Sequence, residues 1–180
     1  MERAGVVVDG WGPVAAEAAA QLRRCGVPVR AGAHEADAAE LDLAAGLDPP
    51  AVLVLVAVGH APGWWRVPSA AAPWQVRGVP LLPVTGRGDD VVVGPLVVSG
   101  RTPCLDCVTL PPTPSPLAHP DPATVVLAAA VATVTALGVL RGDLSLGAVS
   151  TDIGPAGATV VHRVWTSLPG CRCSSVRMAG

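Results

Sequence analysis

A chain of 180 residues with a formal net charge of −2 is long enough for one domain with a real core, and it offers no basic field for nucleic acid. Hydrophobic residues make up 51% of it, yet Phe, Tyr, Lys and Asn are absent and Ile occurs once, at Ile153. The core must therefore be aliphatic and fine-grained, lysine chemistry is excluded, and the shortage of residues with AT-rich codons points to a high-GC bacterial genome.

The opening reads as a β-α-β unit. Gly5–Val8 is a short apolar strand, Asp9-Gly10-Trp11-Gly12 a turn, and Pro13–Cys25 an Ala-rich helix with Pro in its first turn and Gly26 just past its end. A second strand follows at Val27–Arg30. A second helix is expected over His34–Leu47, closed by Gly46 and the Asp48-Pro49-Pro50 turn. Ala51–Val58 is apolar on both faces, as a central parallel strand covered by helices must be.

Gly59–Pro73 reads as a loop carrying Trp64 and Trp65, with room for one short helix or turn. Gly78–Val84 and Val91–Val98 are predicted strands of a hairpin about Gly86–Asp90. Six prolines between Pro111 and Pro122 exclude a helix or a central strand and mark a linker. Ala123–Leu140 has no charge over 18 residues, about the minimum for a bilayer span. Its three Thr and one Gly, and its place between a cysteine pair and a polar strand, fit the buried helix of a three-layer domain better. Gly147–Trp165 alternates as two strands about Gly154–Gly157. The N-terminus has too short an apolar run before Asp9 for a secretory signal, so the expected location is cytoplasmic, with no membrane contact.

Cys104-Leu105-Asp106-Cys107 and Cys171-Arg172-Cys173 supply four thiols in two close pairs, the arrangement a tetrahedral tetrathiolate metal takes from two knuckles. A redox-active Cys-x-x-Cys and a pair of disulfides are the competing readings. The first normally opens a helix after a strand, whereas this pair precedes a proline-rich stretch, and the second suits exported chains. With four thiolates the ion, expected to be zinc, has no open position and is structural. Cys25 stands apart as a small thiol at a helix end. His34, His60, His119 and His162 are too scattered to form a second metal site, and no Gly-x-Ser-x-Gly run supports a hydrolase.

Gly10-Trp11-Gly12-Pro13-Val14-Ala15 resembles a phosphate-cradling turn with two of its three glycines, Gly10 and Gly12. Pro13 removes an amide donor, and no acid follows the second strand at the spacing that grips a ribose. ATP binding is therefore not expected, with Arg23, Arg24 and Asp9 the nearest substitutes for the missing triphosphate ligands. Trp64, Trp65 and Trp74 lie after the central strand, at the edge where open α/β sheets bind ligands. They are candidates for a partner or peptide surface, or for a lid on the domain's own core.

Val93-Gly94-Pro95-Leu96-Val97-Val98-Ser99-Gly100-Arg101-Thr102-Pro103-Cys104-Leu105-Asp106-Cys107, with Pro169-Gly170-Cys171-Arg172-Cys173 near the end, resembles the E1/ThiF-like proteins of azole-forming peptide (bacteriocin, TOMM) biosynthesis. The resemblance implies an α/β, Rossmann-like, three-layer E1/ThiF-type domain over residues 1–180 with a four-cysteine zinc knuckle. Residues 1–100 would form the Rossmann-like half, 101–122 the knuckle and linker, and 123–180 the buried helix, strands and terminal cysteine pair. It also implies a YcaO-type partner enzyme that uses ATP to activate a peptide amide, a precursor peptide presented to it, an actinobacterial source, and a homodimer. The family's N-terminal winged-helix-like peptide-recognition segment has no counterpart ahead of the first strand, so a truncated member is expected. The Lys and Asn of adenylating relatives have none either. The reading is a non-adenylating accessory of a cyclodehydratase, without activity alone; an active adenylyltransferase and an orphan zinc-stapled regulator are the alternatives.

Overall fold

The computed structural model describes residues 5–47, 50, 52–57, 72–87, 90–108, 120–171 and 173. Among these, the strands are β1 (Val6–Asp9), β2 (Val29–Gly32), β3 (Val52–Ala57), β4 (Leu81–Arg87), β5 (Asp90–Val93), β6 (Val149–Ile153) and β7 (Val160–Val164). The helices are α1 (Pro13–Arg24), α2 (Glu35–Ala44), α3 (Ala72–Val76) and α4 (Pro122–Leu140). All seven strands join one sheet in the order β2-β1-β3-β4-β5-β6-β7. β2, β1, β3 and β4 run parallel, and β5, β6 and β7 continue antiparallel. Strand order reverses between β1 and β3, which leaves a crevice beyond the carboxyl ends of those two strands.

Alternation along the strands divides the core into two layers. Val6 and Val8 of β1, with Leu82 and Val84 of β4, face α1 and α4. Val7 and Leu81 point the other way, toward α2 and Trp74. α1 and α4 pack against each other through alanines: Ala15 and Ala19 belong to the same buried cluster as Ala128, Ala132 and Ala136. Such small side chains bring helix axes to the near end of the usual range of about 8–10 Å. Each fully buried Val or Leu contributes about 1.5–3 kcal/mol and each Ala less, so an Ala/Val core depends on close fit more than on bulk.

Local chemistry explains where several elements depart from the sequence expectation. β2 begins two residues late because Val27 closes α1 instead: Gly26 N–H donates to Arg23 O and Val27 N–H to Leu22 O. α2 is shorter than expected, since Gly46 adopts φ 82° and its amide turns back to Leu43 O. The strand predicted over Val91–Val98 is broken: Gly94 sits at φ 87°, and beyond it only isolated bridges form, Leu81 with Val97 and Leu96 with Gly147. Pro122 is the first residue of α4 rather than the end of a linker, because Asp121 caps the helix by accepting from Ala123 N and Thr124 N. The linker proper, apart from residues 120–122, and Gly59–Pro73, apart from residues 72 and 73, lie outside the described residues.

α4 is the one helix among the described residues long and apolar enough to cross a membrane. Val125, Ala128, Ala132 and Ala136 on one side are core, as expected, but Val126 and Val134 on the other are exposed, so the helix is buried on one side only.

Candidate metal centre

The first cysteine pair follows the broken strand. Its turn is locked by Thr102, whose Oγ1 accepts the buried Val98 N–H at 2.7 Å. Arg101 N–H and Thr102 N–H both return to Val98 O, and Cys107 N–H donates to Cys104 O at 2.9 Å. Leu105 and Val108, on either side of Cys107, insert into the core layer of Leu43, Val79 and Trp74. The knuckle therefore covers one face of the sheet as well as presenting sulfur. The second pair arrives from β7 through Trp165, whose Nε1 donates to Ser150 Oγ at 2.9 Å and which packs against the same layer. Cys171 N–H closes the last turn on Leu168 O, with Gly170 at φ 77°.

These two segments, more than sixty residues apart in the chain, bring Cys104, Cys107, Cys171 and Cys173 together with all sulfurs within 4.8 Å of one another. Sγ–Sγ distances are 3.7 Å for Cys104–Cys107, 3.6 Å for Cys104–Cys171 and 3.5 Å for Cys107–Cys173. A tetrahedral ion with metal–sulfur bonds of about 2.3 Å requires edges of about 3.8 Å. A disulfide requires about 2.05 Å. The cluster has the size of the former, and the four cysteines can hold a metal ion. Leu168 N–H donates to Cys107 Sγ at 3.3 Å, and Ser167 Oγ lies 3.6 Å from Cys173 Sγ, so two sulfurs already have polar neighbours suited to thiolate.

Titration of the bare thiols is split. Burial first, then the neighbouring thiols, pushes Cys104 up to about 12. At Cys173 burial acts in the same direction, but hydrogen bonds from the Cys104 backbone, Ser167 and the other thiols overcome it and bring that group down to about 6. Burial also raises Cys107. Four thiols this close cannot all ionise unaided; a divalent cation removes the conflict by making each a ligand.

At the other candidate site, Gly10 and Gly12 take φ 140° and 100° and carry the chain from β1 into α1. Gly10 N–H is already held by Gly32 O, and Pro13 has none. Asp9 is buried beside this turn, and its Oδ1 accepts Ala36 N–H at the start of α2 at 3.0 Å. Asp9 is the last residue of β1, one of the two strands that flank the switch point. The contact of Asp9 with Ala36 N–H could not have been placed from sequence, because the two residues are 27 apart in the chain.

Arg23 and Arg24 do not serve this turn. They stand at the far end of α1, about 16 Å along the helix axis, where Arg23 donates to Val29 O and Arg24 pairs with Glu17 at 2.9 Å. Trp74 is not a surface residue: it is fully buried in the second core layer, with its Nε1 unpartnered among the described residues, so it offers no docking face. Trp64 and Trp65 lie outside the described residues. Thr102, Trp165 and Leu168 were missed by the sequence reading. Of these, Thr102 alone had a local signal, a hydroxyl two residues before the first cysteine in a Gly-Arg-Thr-Pro turn.

No protein-family model matches this chain, and no curated protein does. Solved structures do. A heterocyclase in complex with substrate and cofactor superposes with a TM-score of 0.64 at 14% identity, over 95% of this chain and 25% of that one. The heterocyclase TruD gives 0.64 at 18% identity, over 95% and 27%. MccB of E. coli, solved with selenomethionine MccA, gives 0.64 at 13% identity, over 96% and 67%. The chain spans about a quarter of the length of the two heterocyclase chains and about two thirds of MccB. What it has in common with all three is the mixed α/β fold.

Proposed function

We propose that this chain is a zinc-stapled, Rossmann-like domain of the E1/ThiF type, and that it serves a peptide-modifying, cyclodehydratase-like system by binding rather than by adenylating. The fold it has in common with two heterocyclases and with MccB supports the setting. The observation that carries the non-adenylating part is the glycine turn. It offers a triphosphate few donors, because Pro13 has no N–H, and no lysine exists anywhere in the chain to hold the phosphates. Gly10 N–H, one of the turn's two glycine amides, is already hydrogen-bonded.

In this reading Cys104, Cys107, Cys171 and Cys173 hold zinc, which supplies cross-linking and no chemistry. The ion ties the end of the chain to the turn after Val98, and through Leu105 and Val108 to the face of the sheet that bears α2. Catalysis then belongs to a partner, for which a YcaO-type enzyme is the candidate, and the ligand is that enzyme or its precursor peptide. Cytoplasmic thiol conditions suit such a site.

Titration calorimetry of the zinc-loaded protein against Mg–ATP, and separately against a YcaO-type enzyme from the same genome, tests the reading. Partner binding without nucleotide binding is the expected result. Saturable ATP binding would overturn it. One observation favours an adenylating alternative, the retained positive φ at Gly10 and Gly12 that keeps the strand-turn-helix path; ATP–pyrophosphate exchange above a no-enzyme blank would establish it.

A further inference from the structure

Beside the cysteine cluster lies a cavity of about 260 Å³. Gln75 of α3 bounds it on one side, and Val97 and Val98, beyond the broken strand, on another. Among the described residues Cys104, Cys171 and Cys173 also border it, whereas the buried Cys107 does not. The space is smaller than the roughly 300–1,000 Å³ of most small-molecule sites and larger than the roughly 150 Å³ void that admits a benzene ring. It has room for one side chain.

Its charge is one-sided. Asp106 lines it from the turn between Cys104 and Cys107, exposed and without an ion pair among the described residues. None of the described residues that line the cavity is basic, and Arg77, close to Gln75 in the chain, is turned to Leu43 O at 3.1 Å. Four thiolates around a divalent ion leave a net charge of about −2, which the zinc reading adds to that of the Asp106 carboxylate. Gln75 and Ser99 contribute neutral acceptors, and Val97 and Val98 an apolar lining.

The geometry points to an arginine side chain of a bound polypeptide as the occupant of this cavity. The inference rests on the zinc reading of the cluster and gives the proposed binding role a ligand chemistry. A guanidinium is delocalised and weakly hydrated, so it leaves water for a wall of sulfur, a weak acceptor, at less cost than the strongly hydrated ammonium of lysine. Its donors suit the Asp106 carboxylate, the Gln75 carbonyl and the Ser99 hydroxyl, and its aliphatic stem suits the two valines. A free amino acid or a nucleotide would also bring a carboxylate or a phosphate, for which the lining has no cation. A polypeptide presents the same side chain on a neutral backbone.

An NMR titration of the isotope-labelled, zinc-loaded chain with N-acetyl-arginine methylamide at low salt, read at the amides of Ser99, Gly100, Thr102 and Asp106, tests it. Saturable shifts are expected, with the blocked lysine analogue about tenfold weaker and free arginine weaker than its blocked form. The blocked citrulline analogue keeps the shape, loses the charge and should give no shifts. Asp106→Asn keeps the side-chain size and should weaken binding about tenfold, while bound zinc, measured with a chromogenic indicator, and melting temperature hold. Added salt should weaken the wild type too. A chain that holds zinc and shows no shifts overturns the inference, as does one that takes citrulline or lysine as well as arginine, or an Asp106→Asn protein that binds unchanged. A chain that holds no zinc fails at the earlier reading and takes this inference with it; the metal assay separates the two failures.

Discussion

Thr102 gives the most direct test of how the fold holds the cysteine cluster. Its Oγ1 is the acceptor for Val98 N–H at 2.7 Å in a buried position, and its own hydrogen faces Val98 O and Pro103 O at 3.4 and 3.3 Å. Thr102→Val keeps the shape and deletes the acceptor. The Val98 amide is then buried without a partner, at a cost of about 1–3 kcal/mol. For a chain of this length about 2 kcal/mol lowers the melting temperature by about 4–8 °C. Thr102→Ser keeps the hydroxyl and loses only the methyl that lies against Gly147, worth about 0.8 kcal/mol. The turn leads directly into Cys104, so Thr102→Val also speeds metal release to a chelator, read with a chromogenic zinc indicator. A Thr102→Val protein that melts within about 1 °C of wild type and releases metal at the same rate would refute the argument that this hydroxyl positions the knuckle.

Cys107→Ser removes the most buried ligand and, like EDTA on the wild type, should lower the melting temperature and loosen residues near Leu105 and Trp165; equal melts with and without chelator would remove the case for a structural ion. Gly94→Ala places a Cβ 2.8 Å from Val149 O at a positive φ, so a loss of about 1–2 kcal/mol or more in urea unfolding is expected, with Val92→Ala as a comparison lacking backbone strain. Asp121 is held at about 2, below its ordinary 3.8, first by the Thr124 hydroxyl and then by the Ala156 and Thr124 amides. Its folded-state value is depressed, so its contribution is complete above about pH 4 and lost as pH falls through about 2; α4 amides should exchange faster over that window, and Asp121→Asn should flatten the response. Asp9→Ala leaves Ala36 N–H without its buried acceptor, so a loss of about 1–3 kcal/mol in urea unfolding is expected; an unchanged midpoint would mean that this contact does not hold the start of α2.

Much of this was legible because it is local. The first helix shows in its Pro13 start and Gly26 stop, the hairpin of β4 and β5 in its turn residues, and the apolar run of β3 in its composition. The cysteines were legible through spacing alone, since a Cys-x-x-Cys pair can grip one edge of a tetrahedron wherever it sits. Misreadings came where a single residue's backbone overrode a periodic pattern. Val91–Val98 alternates well enough for one strand, but Gly94 at φ 87° ends it early. Val27 has a strand former's side chain, but its amide closes α1. For Trp74 the sequence left a partner surface and a place in the domain's own core both open; a five-residue helix turns it into the core, the second of the two.

What the sequence by itself determined is the class of architecture, the aliphatic grain of the core, the absence of lysine chemistry and the set of four thiols. What only tertiary structure decided is which groups meet. The spacing of sulfurs from two distant segments, the hydrogen-bonded amide at Gly10, and the contact of Asp9 with the first turn of α2 each depend on residues far apart in the chain. Periodicity reports the face on which a residue lies. It carries no information on which other segment will cover that face, because that is set by the packing of the whole sheet and its helices.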